Sequence, residues 1–111
     1  MTAVGGWSAE HPILINRPES GHAEHDSEDI WSAVCIAVRA AREKAGISAG
    51  DIAGISFDAT CSLVLRDFDG GQLTVSTGGD DRWDTIVWLD HRALTEADEC
   101  TATGHRVLDF V

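Results

Sequence analysis

Between Asp26 and Gly46 the chain repeats apolar residues at helical spacing, and this stretch constrains the fold more than any other. Ile30, Val34, Val38, Ala41 and Ala45 recur at intervals of four and three, with Trp31 and Ala37 widening the stripe. Such a stripe predicts an α-helix with one face toward a core. Asp26 or Ser27 can accept from the free amides of the first turn, and Glu28 and Asp29 suit its positive end. Arg39, Arg42 and Lys44 suit the other end, and Gly46 ends the helix.

The flanks read differently. His11 to Arg17 alternates and is β-branched at Ile13 and Ile15, which predicts a short strand before a turn at Pro18 and Gly21. After the helix, Ile52 to Phe57 reads as a strand. Ser62 to Arg66 and Gln72 to Ser76, joined by Asp69-Gly70-Gly71, read as a hairpin. Ser76 to Asp81 reads as a loop, Thr85 to Leu89 as a buried strand, and Ala93 to Thr103 as a helix ended by Gly104. The predicted class is α/β, a mixed sheet with flanking helices in which the first helix is long enough to cross over between strands of one sheet.

With 111 residues there is room for one modest core. Nineteen acidic residues against eight basic ones give a net charge of -11, which repels a phosphate backbone and argues against nucleic acid as a partner. The acids are scattered and read as a solvated surface. Cys35, Cys61 and Cys100 form neither an even set nor a C-x-x-C pair, which fits a reducing compartment. The N-terminus lacks the pattern of a leader and no apolar run reaches membrane-spanning length, so the expectation is a cytoplasmic protein without a membrane partner.

Two clusters carry candidate chemistry. Gly54 to Ser62, G-I-S-F-D-A-T-C-S, sets Asp58, Thr60 and Ser62 where one predicted strand ends and the next begins. Ligands of open α/β sheets bind beyond strand ends. A carboxylate that accepts, beside hydroxyls that donate and accept, offers what a polyol needs; the competing reading is a polar turn. Trp88 to Ala93, W-L-D-H-R-A, puts Asp90 and Arg92 in position to pair and hold Trp88 as a wall against a ligand. The competing reading makes Asp90 a helix cap and Trp88 part of the core.

Three other features read as structural. His22, Glu24, His25 and Asp26 are metal-ligand types, but loop spacing gives them no common face, which favours capping over a metal site. Gly78-Gly79 resembles a phosphate cradle, yet Asp80 and Asp81 would repel the anion. Cys61 has no nearby histidine to activate it and reads as a packing residue.

Three ordered motifs, G-H-A-E-H-D-x-x-D-I-W, G-I-S-F-D-A-T-C-S-L-V and I-V-W-L-D-H-R-A-x-x-E-A, resemble those of FGGY carbohydrate kinases, nearest the D-ribulokinase branch, over about residues 10 to 111. Arg82-Trp83-Asp84-Thr85 departs from the asparagine-containing version of that branch. The resemblance implies part of a ribonuclease H-like domain of the actin and hexokinase type. It implies that residues 1–111 are a partial sugar-binding domain lacking its first strand hairpin and its C-terminal part. It further implies a sugar pocket touched by Asp58, Ala59 and Thr60 and bordered by Asp90 and Arg92, with ATP and magnesium serving the intact enzyme.

The family's D-x-G-T phosphate hairpin has no match here, and its general base and adenosine contacts are expected beyond Val111. The expectation is a fragment of a kinase acting on a ketopentose such as D-ribulose, inactive alone, with no catalytic residue, cofactor or metal site of its own. The alternative is a stand-alone non-catalytic module that pairs through an open sheet edge, as a homo-oligomer or with a complementary kinase fragment.

Overall fold

The computed structural model describes residues 6–110. Its longest element is helix α1, Ser27–Ala45, capped as its sequence dictates. Asp26 Oδ1 accepts from the amides of Glu28 at 2.9 Å and Asp29 at 3.2 Å. Gly46 closes the helix at φ 66°, a left-handed conformation that costs glycine little. The second helix, α2, Leu94–Ala102, likewise stops short of Gly104.

Three two-residue strands form the sheet: β1, Glu24–His25, β2, Leu63–Val64, and β3, Thr85–Ile86. Their order is β1-β3-β2, with both pairings antiparallel. Glu24, Ile86 and Leu63 share one cross-strand row, and His25, Thr85 and Val64 share the next. Because side chains alternate along a strand, the two rows face opposite sides of the sheet.

The predicted hairpin after β2 exists as a tight turn. Arg66 bridges Gln72, and the Asp67 carboxylate accepts from the amides of Asp69 and Gly71. Its return arm, Gln72 to Ser76, is held by isolated bonds from Leu73 N to Leu65 O and from Val75 N to Trp83 O.

Four expectations are corrected. Glu24 and His25, read as part of a loop, form strand β1 because their backbone pairs with Ile86 and Thr85. His11 to Arg17 does not form a strand, and Asn16 alone bridges Glu24. The reason lies at Leu14, whose amide donates to the Asp29 carboxylate at 2.7 Å and whose carbonyl bonds the His25 ring, so side chains take the place of a ladder partner. Ile52 to Phe57 is not a strand either: the Ile52 amide turns back to the Ala49 carbonyl, no other strand pairs with the segment among the described residues, and Ile55 and Phe57 are 67% and 66% exposed. The first helix accordingly makes no crossover within a sheet, since it leads from β1 to this unpaired stretch and the sheet is antiparallel throughout.

The apolar stripe of α1 forms, but only Ala33 of this helix is buried. Val38, Ala41 and Ala45 border a shallow cleft of about 470 Å³ with Trp7, Ile47, Ile52 and Ile55. Among the described residues the buried apolar core is Ala23, Ala33 and Val87. Glu24, Asp26, Asp84 and Thr85 are buried beside it, so the centre of this chain is largely polar. The radius of gyration, 19.1 Å, exceeds the roughly 13 Å of a compact domain near this length, consistent with so small a core. Among the described residues no helix is long and apolar enough to cross a membrane.

Candidate functional site

The two faces of the sheet have separate roles. The row of His25, Thr85 and Val64 lines a cavity of about 530 Å³, completed by Ala59, Thr60 and Ser62 from the loop before β2 and by Val87, Trp88 and Leu89 after β3. Ile13 and Ile30 close its remaining side. Apolar walls carrying a few convergent polar groups are the usual make-up of a small-molecule site.

The polar groups are ordered by one another. Ser62 Oγ accepts from the Trp88 amide at 3.2 Å and lies 3.3 Å from Thr60 Oγ1. The loop hydroxyls are thereby tied to the end of β3. Trp88 is 61% exposed, so its indole is available to a ligand rather than being part of the core. Thr85 Oγ1 donates to Asp84 at 3.0 Å and is already engaged.

On the other side, Glu24 enters a charged cluster. Arg92 Nη2 donates to Glu24 Oε1 at 2.9 Å and to Asp90 Oδ2 at 2.7 Å, while its Nε donates to Asp90 Oδ1 at 2.9 Å. Arg92 Nη1 reaches the Val75 carbonyl at 2.7 Å, and Asn16 Nδ2 holds the other oxygen of Glu24 at 2.8 Å. The Ala23 amide donates to Asp90 Oδ2 at 2.6 Å. The fork of Arg92 and the Ala23 amide together hold the Asp90 carboxyl far below the usual carboxylate range, against the opposing effect of burial. The Arg92 guanidinium is correspondingly pushed up, chiefly by Asp90 and then by Glu24.

Two further carboxylates tie α1 to the sheet. Asp84, wholly buried, accepts from Ser27 N at 2.9 Å and Ser27 Oγ at 2.5 Å, with Arg66 Nε at 3.4 Å. Burial alone would raise its pKa, but the bonds from Ser27 and Thr85 lower it. Asp26 is lowered in the same way against burial, by Arg82 at 2.8 Å, by Gln72 and by the helix amides. Arg66 also donates to Ser27 Oγ and pairs with Glu28 at 2.8 Å.

The residues singled out in the sequence therefore separate. Ala59 and Thr60 line the cavity, whereas Asp58 is exposed and outside its lining. Asp90 and Arg92 pair with each other, but their charged groups face Glu24, Ala23 and Val75 rather than the cavity. Asp90 does not cap α2, whose N-cap position is Ala93 without a side-chain bond. Glu24 and Asp26 are committed to Arg92 and Arg82, and among the described residues no three His, Cys, Asp or Glu side chains gather to hold a cation. From the sequence, Arg66 receives no role, and Asp84 figures only in the departure at Arg82 to Thr85. The available signal was Asp84 directly before the β-branched Thr85-Ile86-Val87, a carboxylate entering a buried strand.

No family model matches the chain. Curated proteins do match it. An FGGY carbohydrate kinase domain-containing protein of Homo sapiens is 41% identical over 103 residues, 93% of this chain and 18% of that protein. A D-ribulokinase of Saccharomyces cerevisiae is 36% identical over 106 residues, 93% of this chain and 15% of its own length. A glycerol kinase of Afipia carboxidovorans is 36% identical over 102 residues, 90% and 19% of the respective chains. The chain belongs to the FGGY carbohydrate kinases. It spans less than one fifth of the length of these relatives.

Proposed function

We propose that these residues form part of the sugar-binding side of an ATP-dependent carbohydrate kinase of ribonuclease H-like fold, acting in the cytoplasm on a ketopentose such as D-ribulose. The supporting observation is the cavity at the end of β3, where Thr60 and Ser62 hydroxyls stand beside the exposed Trp88 ring. Hydroxyls that donate and accept, set against an aromatic wall, suit a ligand that is itself a chain of hydroxyls on carbon. Similarity to a D-ribulokinase favours the ketopentose, and similarity to glycerol kinases keeps the shorter polyol as the second probe.

ATP and magnesium belong to this proposal only through the family. Among the described residues the buried carboxylates do not fit them: Glu24, Asp26, Asp84 and Asp90 are bonded to arginines, amides or hydroxyls, and Gly78-Gly79 runs directly into Asp80-Asp81. Phosphoryl transfer depends on placing charge against the transferring group. The 111-residue chain alone is therefore expected to make no sugar phosphate from ATP and D-ribulose. Calorimetric or NMR titration with D-ribulose and glycerol is expected to move Thr60, Ser62 and Trp88 and to weaken in Thr60→Val. Failure of both polyols to bind would overturn the site, and turnover by the chain alone would overturn its restriction to the sugar side.

A further inference from the structure

We propose that His25 is a polyol-contacting residue of this cavity, accepting a ligand hydroxyl at Nε2; the inference rests on the sugar-site reading above. His25 Nδ1 lies 2.5 Å from the Leu14 carbonyl. A carbonyl can only accept, so Nδ1 carries the proton, and in the neutral ring the lone pair is at Nε2. Nε2 has no hydrogen-bond partner among the described residues, and His25 is one of the residues that line the cavity.

The backbone fixes which way the residue faces. His25 pairs with Thr85, which pairs with Val64, and all three border the cavity, while the preceding Glu24 points to the charged cluster on the opposite side. Ser62 Oγ already accepts from the Trp88 amide, so the loop hydroxyls have a proton to offer toward Thr60 or a ligand. The cavity then presents a donor from the Thr60 and Ser62 pair and an acceptor from His25. A hydroxyl both donates and accepts, and neighbouring hydroxyls on one polyol can satisfy both walls. Of the metal-ligand types beside His25, Glu24 is held in an ion pair and Asp26 in an ion pair and a helix cap, which leaves His25 free for this role.

The test separates the ring's two nitrogens. In the full chain, ¹⁵N NMR of the imidazoles during titration with D-ribulose, and separately glycerol, is expected to shift His25 Nε2 and leave Nδ1 unmoved. His25→Asn keeps a donor where Nδ1 stood, so the Leu14 bond and the fold persist, while the acceptor is lost; affinity should fall about three- to tenfold. His25→Gln, which places an amide near Nε2, should recover part of the loss. Binding of a polyol with Thr60 and Trp88 shifts but a silent His25 Nε2 would overturn the role of His25 alone. Absence of polyol binding in the unsubstituted chain would overturn the sugar site and this inference together. The wild-type shifts decide the question even if a variant does not fold.

Discussion

Glu24, Asp84 and Asp90 lose almost all solvent contact yet are bonded to cations, amides or hydroxyls, whereas Ile55 and Phe57 are about two-thirds exposed. The polar side chains find their partners within the chain, across separations of 57 residues for Ser27 and Asp84 and 68 for Glu24 and Arg92. The apolar stripe of α1 finds no equivalent cover among the described residues. The difference teaches that this region is held in register by directed bonds, each of which requires a particular partner. Hydrophobic burial, which is non-directional and grows with area, contributes comparatively little.

The contrast can be broken most severely with acid. Asp26, Asp84 and Asp90 are all held below the ordinary carboxylate value in the folded chain. The unfolded chain binds protons more readily in this range, so stability is fully present above the unfolded pKa of about 3.9 and is lost as pH falls through the folded values. Thermal melts from pH 6 downward should show cooperative loss of α1 helicity below about pH 4. A melting temperature independent of pH in that range would remove the carboxylates from the account.

A smaller but sharper test is Arg92→Ala. It leaves Glu24 and Asp90, 0% and 2% exposed, without their cation, and breaking a buried pair in this way costs about 3–5 kcal/mol. Urea unfolding should show this loss, and a change under about 1 kcal/mol would indicate that water reaches the cluster. The smallest effect is expected on the apolar side. Phe57→Ser should change stability by no more than about 0.5 kcal/mol, because the residue it replaces is already about two-thirds exposed. A loss of several kcal/mol would mean that the flank is covered in solution and would abolish the contrast.

Much of the local structure was legible because its causes are local. The helix from Ser27 to Ala45, its Asp26 cap, the Gly46 stop and the turn at Asp67 to Gly71 each depend on residues a few positions apart. The pairing of Asp90 with Arg92 was equally visible, being a two-residue separation. The strand reading of Ile52 to Phe57 rested on side-chain preference, but a strand exists only where another backbone meets it. His11 to Arg17 differed because the Asp29 and His25 side chains occupy the polar atoms of Leu14, which the local sequence does not reveal.

The candidate site divides along the same line. By itself the sequence determined the three family motifs, the helix with its caps, and the hydroxyls and tryptophan of the cavity, all fixed by residue type and short spacing. Only the tertiary structure decided that Thr60, Ser62, His25 and Trp88 share one cavity while Asp90 and Arg92 turn toward Glu24. That division follows from β1 pairing with β3 so that Glu24 and His25, adjacent in the chain, face opposite sides of the sheet. Register between strands some sixty residues apart is set by which side chains can be bonded once the chain has closed, a condition that no local window contains.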